Sequence, residues 1–187
     1  DDPNIPASLR KLPMVRRLSG GGAIVHHCEW TYSCAVPAAS PLARVPSELY
    51  TQMHNAIVKV LRRRGIDAAL RSDTKFSDDA NQQSDSAFLC FTRGDPNDVM
   101  LGGHKILGSA QRRRRGAILQ HGSLMWRASE YAPELPGICN LATAPTDMEQ
   151  FRSELAEGMG KLLGNDLYDT SLTEEEIDRA GELEHKR

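Results

Sequence analysis

Apolar and polar positions alternate, in part, from Thr31 to Val36, which predicts a β-strand closed by Pro37, a residue that cannot donate to a ladder. Further on the period changes. From Ser47 to Arg64 the apolar residues Leu49, Met53, Ala56, Ile57, Val60 and Leu61 recur at spacings of three and four, the spacing of one helix face. Ser47 is the expected N-cap and Gly65 stands just past the end. Met14 to Arg17 and Ala23-Ile24-Val25 predict short strands on either side of a glycine loop. Arg71 to Ser86 is polar and rich in Asp, Ser and Asn, the composition of a surface loop.

A second block of strands is predicted at Phe88–Phe91, Asp98–Leu101, Lys105–Gln111 and Ala117–Met125. Gly102-Gly103 is a two-residue hairpin signal, because both positions take φ > 0 without steric cost. Thr146-Asp147-Met148-Glu149 reads as a capping box opening a helix that runs to about Leu163, with Gly164 after it. A last helix starts at Thr173, with Glu174, Glu175 and Glu176 in the first turn, where the helix dipole favours negative charge. Strands mixed with a few helices predict an α+β domain with a mixed β-sheet flanked by helices.

Composition narrows the class. A chain of 187 residues with 40% apolar content fits a single domain with a real core, 1–187. A net charge of −2 gives no global drive toward nucleic acid or membrane. No apolar run approaches the roughly 20 residues of a membrane helix, and Asp1 to Lys11 has no signal-peptide pattern, so a cytoplasmic location is expected. The four cysteines, Cys28, Cys34, Cys90 and Cys139, contain no CxxC pair, which argues against zinc, and no metal site is expected.

Candidate chemistry centres on a thiol and an amine. Cys90 and Lys105 stand fifteen positions apart, with the Gly102-Gly103 turn between them able to fold one strand back past the other. A cysteine beside a cation is held as thiolate, the form that attacks carbonyl and thioester carbon. The alternatives are an inert packed cysteine and a solvated strand lysine. Gly20-Gly21-Gly22, preceded by Arg16 and Arg17, lets backbone N–H groups approach a ligand closely, although three glycines also make an ordinary turn. The loop matches neither the P-loop nor GxGxxG. His26, His27, His121 and Ser123 permit a triad on composition, but no nucleophile elbow surrounds Ser123, and His26 and His27 would alternate across a strand. Arg112 to Arg115 reads as a solvated face, or a surface for an acidic protein. With two Trp, four Tyr and four Phe there is little aromatic interleaving to support nucleic acid.

Several motifs together resemble the biotin/lipoate A/B protein ligase family. Arg16-Arg17-Leu18-Ser19-Gly20-Gly21-Gly22-Ala23-Ile24-Val25-His26 is similar to that family's RRxxGGGAxxH loop, and Thr31-Tyr32-Ser33 to the strand after it. Lys105-Ile106-Leu107-Gly108-Ser109-Ala110-Gln111 resembles KxxGSAQ, and Leu119-Gln120-His121-Gly122-Ser123 the LQHGS strand. The likeness runs from about Val15 to the final helix. Cys90-Phe91 ahead of the lysine is most like the cysteine-type octanoyltransferases.

The resemblance implies Cys90 and Lys105 as catalytic residues. It also implies Arg17, Gly20, Gly21, Gly22, His26, Gly108, Ser109, Ala110, His121 and Gly122 as substrate-binding residues. It implies octanoyl-acyl carrier protein as donor and a lipoyl domain or glycine-cleavage H protein as acceptor, with a monomer acting without cofactor, nucleic acid or membrane. The alternatives are an ATP-dependent lipoate-protein ligase, which would use ATP and Mg, and a non-catalytic acyl- or partner-binding relative. His27 stands where the family usually has Asp. The strands and helix that usually precede the glycine loop are largely missing, so a truncated biotin/lipoate ligase-type domain is expected.

Overall fold

The computed structural model describes residues 5–6, 9–17, 19, 22–74, 89, 91, 94–164 and 167–184. Its centre is a five-stranded sheet in the order β1-β5-β4-β3-β2, with β1 Glu29–Pro37, β2 Ala69–Leu70, β3 Val99–Leu101, β4 His104–Arg114 and β5 Ala117–Met125. Every pairing in that sheet is antiparallel; the parallel component of the described residues is an isolated bridge between Ala23 and Leu89. The helices are α1 Pro46–Arg63, α2 Ile138–Leu141, α3 Met148–Gly160 and α4 Glu174–Glu184. The expected α+β architecture, a sheet flanked by helices, is the observed one.

The long β4–β5 hairpin is the frame on which β1 adds. Gly102 and Gly103, both at positive φ (54° and 83°), make the β3–β4 turn that their sequence predicts. Arg115 and Gly116, also at positive φ, turn β4 into β5, so the arginine run spans the end of a strand and its hairpin rather than a loose connection. Between β3 and β4 the register slips: Leu101 pairs with His104 and Met100 with Lys105, but Val99 pairs with Leu107. Ile106 is therefore the extra residue of a β-bulge.

Helix α1 buries the face that its spacing predicts. Leu49, Met53, Ile57, Val60 and Leu61 are essentially inaccessible. Ile57 and Leu61 join Leu70, Val99, Ile106, Leu107 and Leu124 of the sheet in the main core cluster. Helix α3 lies beside α1 and closes the core with Phe151 and Leu155. Phe151 packs against Trp30 and Trp126, which are stacked 5.1 Å apart.

Several local expectations are corrected. The α1 N-cap is Val45, not Ser47, and Pro46 occupies the first turn, where its missing N–H costs nothing and its φ is already helical. The α3 cap is Asp147, whose Oδ1 accepts from the Gln150 N–H at 2.9 Å, so the box expected from Thr146 does not form. Glu149 instead pairs with Arg152. In α4 the expected start holds: Thr173 and Glu176 bond reciprocally, hydroxyl to backbone N–H and carboxylate to backbone N–H. Among the described residues Met14–Arg17 and Ala23–Val25 form no ladder, and only Ala23 meets a partner there, Leu89. Phe91 also lies off any strand, and Phe88 and residues 75–86 lie outside the described residues.

Candidate active site

Alternation along β4 and β5 sorts the motif residues onto two faces of the sheet. Ser109 and Gly122 are cross-strand partners and Tyr32 sits opposite Gly122 on β1, all directed toward α1. Gly108, Ala110, His121 and Ser123 face the other way, where His121 meets Ser19 and Ser123 meets Glu29.

On that outer face Lys105 folds back over Gly108. A Cβ at Gly108 would stand 2.6 Å from Lys105 Cε and 3.0 Å from Nζ, so glycine is what leaves room for the lysine. The ammonium is buried and paired with an equally buried carboxylate, Nζ to Asp98 Oδ2 at 3.0 Å. Burial pushes the Asp98 carboxyl up from its ordinary value, while the Lys105 charge and the Asp95 N–H donated to Asp98 Oδ2 oppose that shift. The Phe91 ring lies 5.3 Å from Lys105 Nζ. Phe91 also lines a small, nearly closed apolar recess of about 10 Å³ with Ala23, Val25, Leu89, Met125 and Leu135. Cys90 lies outside the described residues, as do Gly20 and Gly21; its two chain neighbours, Leu89 and Phe91, border the recess, and Phe91 reaches the lysine.

The remaining outer-face residues form a polar rim. Arg17 donates to the Gly22 carbonyl at 2.8 Å, and Ser19 Oγ meets His121 Nε2 at 2.5 Å. Burial, with Arg17 and His26 nearby, pushes the His121 pKa down, so its ring favours the neutral form. His26 contacts the buried carboxylate of Glu29, which also accepts from Ser123 Oγ at 3.3 Å. His26 and His27 lie on no strand, so the expected alternation does not apply; His27 turns instead to Ser129 Oγ, 3.0 Å away. The thiols of Cys28, Cys34 and Cys139 are free, and burial pushes that of Cys34 up.

On the α1 side the structure reveals a network that motif reading missed. His54, almost inaccessible on α1, has Nδ1 against the Asn97 carbonyl, which can only accept; its Nε2 is therefore the acceptor for Ser109 Oγ, at 2.6 Å. With its proton directed to His54, Ser109 receives the Tyr32 hydroxyl at 2.7 Å. Tyr32 in turn accepts from Gln120 Nε2, and Gln120 accepts from Gln111 Nε2, each at 2.7 Å. The result is a one-way relay, Gln111 to Gln120 to Tyr32 to Ser109 to His54 to Asn97. Desolvation lowers the His54 pKa to about 4, against a supporting bond to Asn97, and burial raises that of Tyr32. A Cβ at Gly122 would fall on Ser109 Oγ and stand 2.5 Å from Tyr32 Cε1. Ser109 and Gly122 thus face this relay, whereas Gly108, Ala110 and His121 face Lys105. The available signals were a lone histidine inside the apolar face of α1 and the Asn97-Asp98 turn ahead of the lysine.

An antiparallel five-stranded sheet backed by α1 and α3, with a buried lysine–carboxylate pair at its edge, is the frame of the candidate site. Residues 7–159 match the lipoyl protein ligase A/B catalytic domain, and the chain belongs to that family. Among curated relatives, it is 32% identical to octanoyltransferase LipM of Kyrpidia tusciae, covering 94% of this chain and 72% of that protein. It is 29% identical to LipM of Lysinibacillus sphaericus, again over 94% and 72%. With that kinship the chain is an acyltransferase enzyme. Solved structures of similar fold include a lipoate protein ligase of Thermoplasma acidophilum with bound lipoic acid (TM-score 0.67, 23% identity, 92% of this chain and 67% of that one). A lipoate-protein ligase A bound with ATP follows at TM-score 0.65 and 22% identity, over 92% and 67%. No helix among the described residues is long and apolar enough to cross a membrane.

Proposed function

We propose that the chain transfers an octanoyl group from acyl carrier protein, through a thioester on Cys90, to a lysine of a lipoyl domain or glycine-cleavage H protein. The observation that carries this reading is the Phe91 ring against Lys105 Nζ, which brings the residue next to Cys90 up to the buried amine. The relatives named octanoyltransferase support it.

In the first half-reaction the Cys90 thiolate attacks the thioester carbonyl. A new C–S bond forms, the bond to the carrier's thiol breaks, and that thiol leaves with the proton that Cys90 gave up. In the second, the acceptor's neutral amine attacks the Cys90 thioester; a C–N bond forms, the C–S bond breaks, and the amine proton returns to the cysteine. Thioester exchange is nearly balanced and amide formation runs downhill, so the cycle needs neither ATP nor a cofactor. Lys105 supplies the fixed positive charge that stabilises the thiolate and the developing oxyanion.

The apolar recess beside Phe91 offers the surface for the acyl chain, each methylene contributing roughly 0.8 kcal/mol on burial. At about 10 Å³ it holds an acyl chain only after its lining moves apart. Arg17, Gly20, Gly21, Gly22, His26 and His121 are assigned to substrate binding by the motifs they belong to. The exposed arginines of the β4–β5 hairpin suit an acidic carrier or lipoyl domain. The protein acts as a cytoplasmic monomer, with no metal, nucleic acid or membrane. The ligase reading rests on structural neighbours whose identity of 23% and 22% speaks for the fold alone.

Intact-protein mass after mixing with octanoyl-acyl carrier protein, without ATP, tests the reading. A hydroxylamine-labile octanoyl adduct on Cys90, absent in Cys90→Ser, is the expected result. Acyl transfer that requires ATP and survives Cys90→Ala would replace it with ligase chemistry.

A further inference from the structure

The Lys105–Asp98 pair sits where the β3–β4 ladder is irregular: Asp98 immediately precedes β3, and Lys105, paired with Met100, leads into the bulge of β4. Between them and α1 lies a cavity of about 210 Å³, lined by Tyr50, His54, Gly94, Asp95, Asn97, Asp98, Lys105 and Ser109. A buried ion pair at the edge of such a space needs something to fix its spacing. Helix α1 reaches across in three places. Tyr50 donates to the Ser109 carbonyl at 3.4 Å, and Thr51 donates to Asn97 Oδ1 at 2.7 Å. His54 reaches both sides with one ring, Nδ1 to the Asn97 carbonyl, one residue from Asp98, and Nε2 to Ser109, four residues from Lys105.

We propose that His54 is a positioning residue for the Lys105 amine: its neutral ring clasps the Asn97-Asp98 turn to strand β4 and so fixes the buried Asp98–Lys105 pair. The ring does this only in the tautomer with hydrogen on Nδ1, because Asn97 offers a carbonyl and Ser109 offers a hydroxyl proton. A protonated ring would carry a second donor toward a hydroxyl already supplied by Tyr32, and its charge would face Lys105, Asp98 and Asp95 across the cavity. The burial that holds the pKa near 4 keeps the clasp closed at neutral pH.

This inference rests on the Cys90–Lys105 reading, and its test separates the two. The rate of Cys90 alkylation by iodoacetamide, resolved by peptide mass and followed against pH, reports the thiol's apparent pKa without any substrate. Lys105→Met is expected to raise that midpoint by about one unit or more, since a nearby opposite charge is worth one to three. His54→Phe, which keeps ring volume but neither bond, is expected to raise it similarly. His54→Asn, which keeps a donor at the Nδ1 position, is expected to restore part of the shift. Ser109→Ala, which releases the other arm, is expected to give a smaller rise; it and His54→Asn decide the matter if the phenylalanine variant does not melt cooperatively. A raised midpoint for Lys105→Met with wild-type midpoints for the folded His54 and Ser109 variants overturns the positioning role alone. An unchanged midpoint for Lys105→Met overturns the thiol–amine reading, and this inference with it.

Discussion

Glycine at position 108 is a clearance requirement rather than a flexible joint. An added methyl would meet Lys105 Cε at 2.6 Å, so the side chain must shift, and with it the end that Asp98 holds at 3.0 Å. Gly108→Ala is therefore expected to move the amine by an ångström or so and reduce acyl transfer by at least tenfold, up to about a hundredfold. Steady-state kinetics beside a thermal melt would check this, the melt shifting far less than the rate. At His54 the consequence is in acid stability. The folded ring titrates near 4 and an unfolded one near 6.5, so between those values the unfolded chain binds more protons. Stability should fall as pH falls through that window, by up to about 3 kcal/mol from this one group, and be fully present above it. Urea midpoints measured from pH 7 to pH 4 should show the slope in the wild type and a shallower one in His54→Asn. The partners of His54 were not legible from residue types. A single polar residue on an apolar helix face carries no periodic signal, and the relay from Gln111 to Asn97 draws its members from β1, α1, β4, β5 and a loop. Lys105 and Gly108 were legible, because their motif is local.

At the scale of elements, the strands of the β4–β5 hairpin and the face of α1 were readable because each declares itself through a period and a turn. Ala117–Met125 was found at its observed bounds, and β4 runs past its expected end at Gln111 because arginines pair across a hairpin as well as any residue when their heads reach solvent. The short segments before β1 were misread for the opposite reason: three apolar residues become a strand only if a partner lies alongside, and among the described residues only Ala23 has one. The β3–β4 turn makes the stronger test. With φ of 54° and 83° at Gly102 and Gly103, Gly103→Ala should cost about 1–2 kcal/mol in an otherwise unchanged fold. Chemical denaturation measures it, and a cost near zero would mean the turn relaxes to another type.

For the molecule as a whole, the candidate site depends on how α3 and α1 brace the sheet from behind. Phe151 packs against the stacked pair of Trp30 and Trp126, and Arg64 on the α1 side holds Glu154 with two bonds of 2.8 and 2.7 Å. Phe151→Ala should destabilise by about 3–5 kcal/mol and flatten the near-ultraviolet circular dichroism of the two tryptophans. Arg64→Ala should cost less than Phe151→Ala, since that pair is only half-buried and salt screens part of it. Fluorescence-detected unfolding of both variants would rank the two contacts.

The bulge at Ile106 carries one more consequence, a matter of parity. In an unbroken strand, residues three apart project to opposite sides, so a lysine at 105 would share its side with Ser109 and point at α1. The supernumerary residue reverses the count and delivers the amine to the side of Gly108. The interval from Lys105 to Gly108 is thus a counted length: shortening it by one residue would keep the lysine and the glycine but turn the amine inward, away from Phe91.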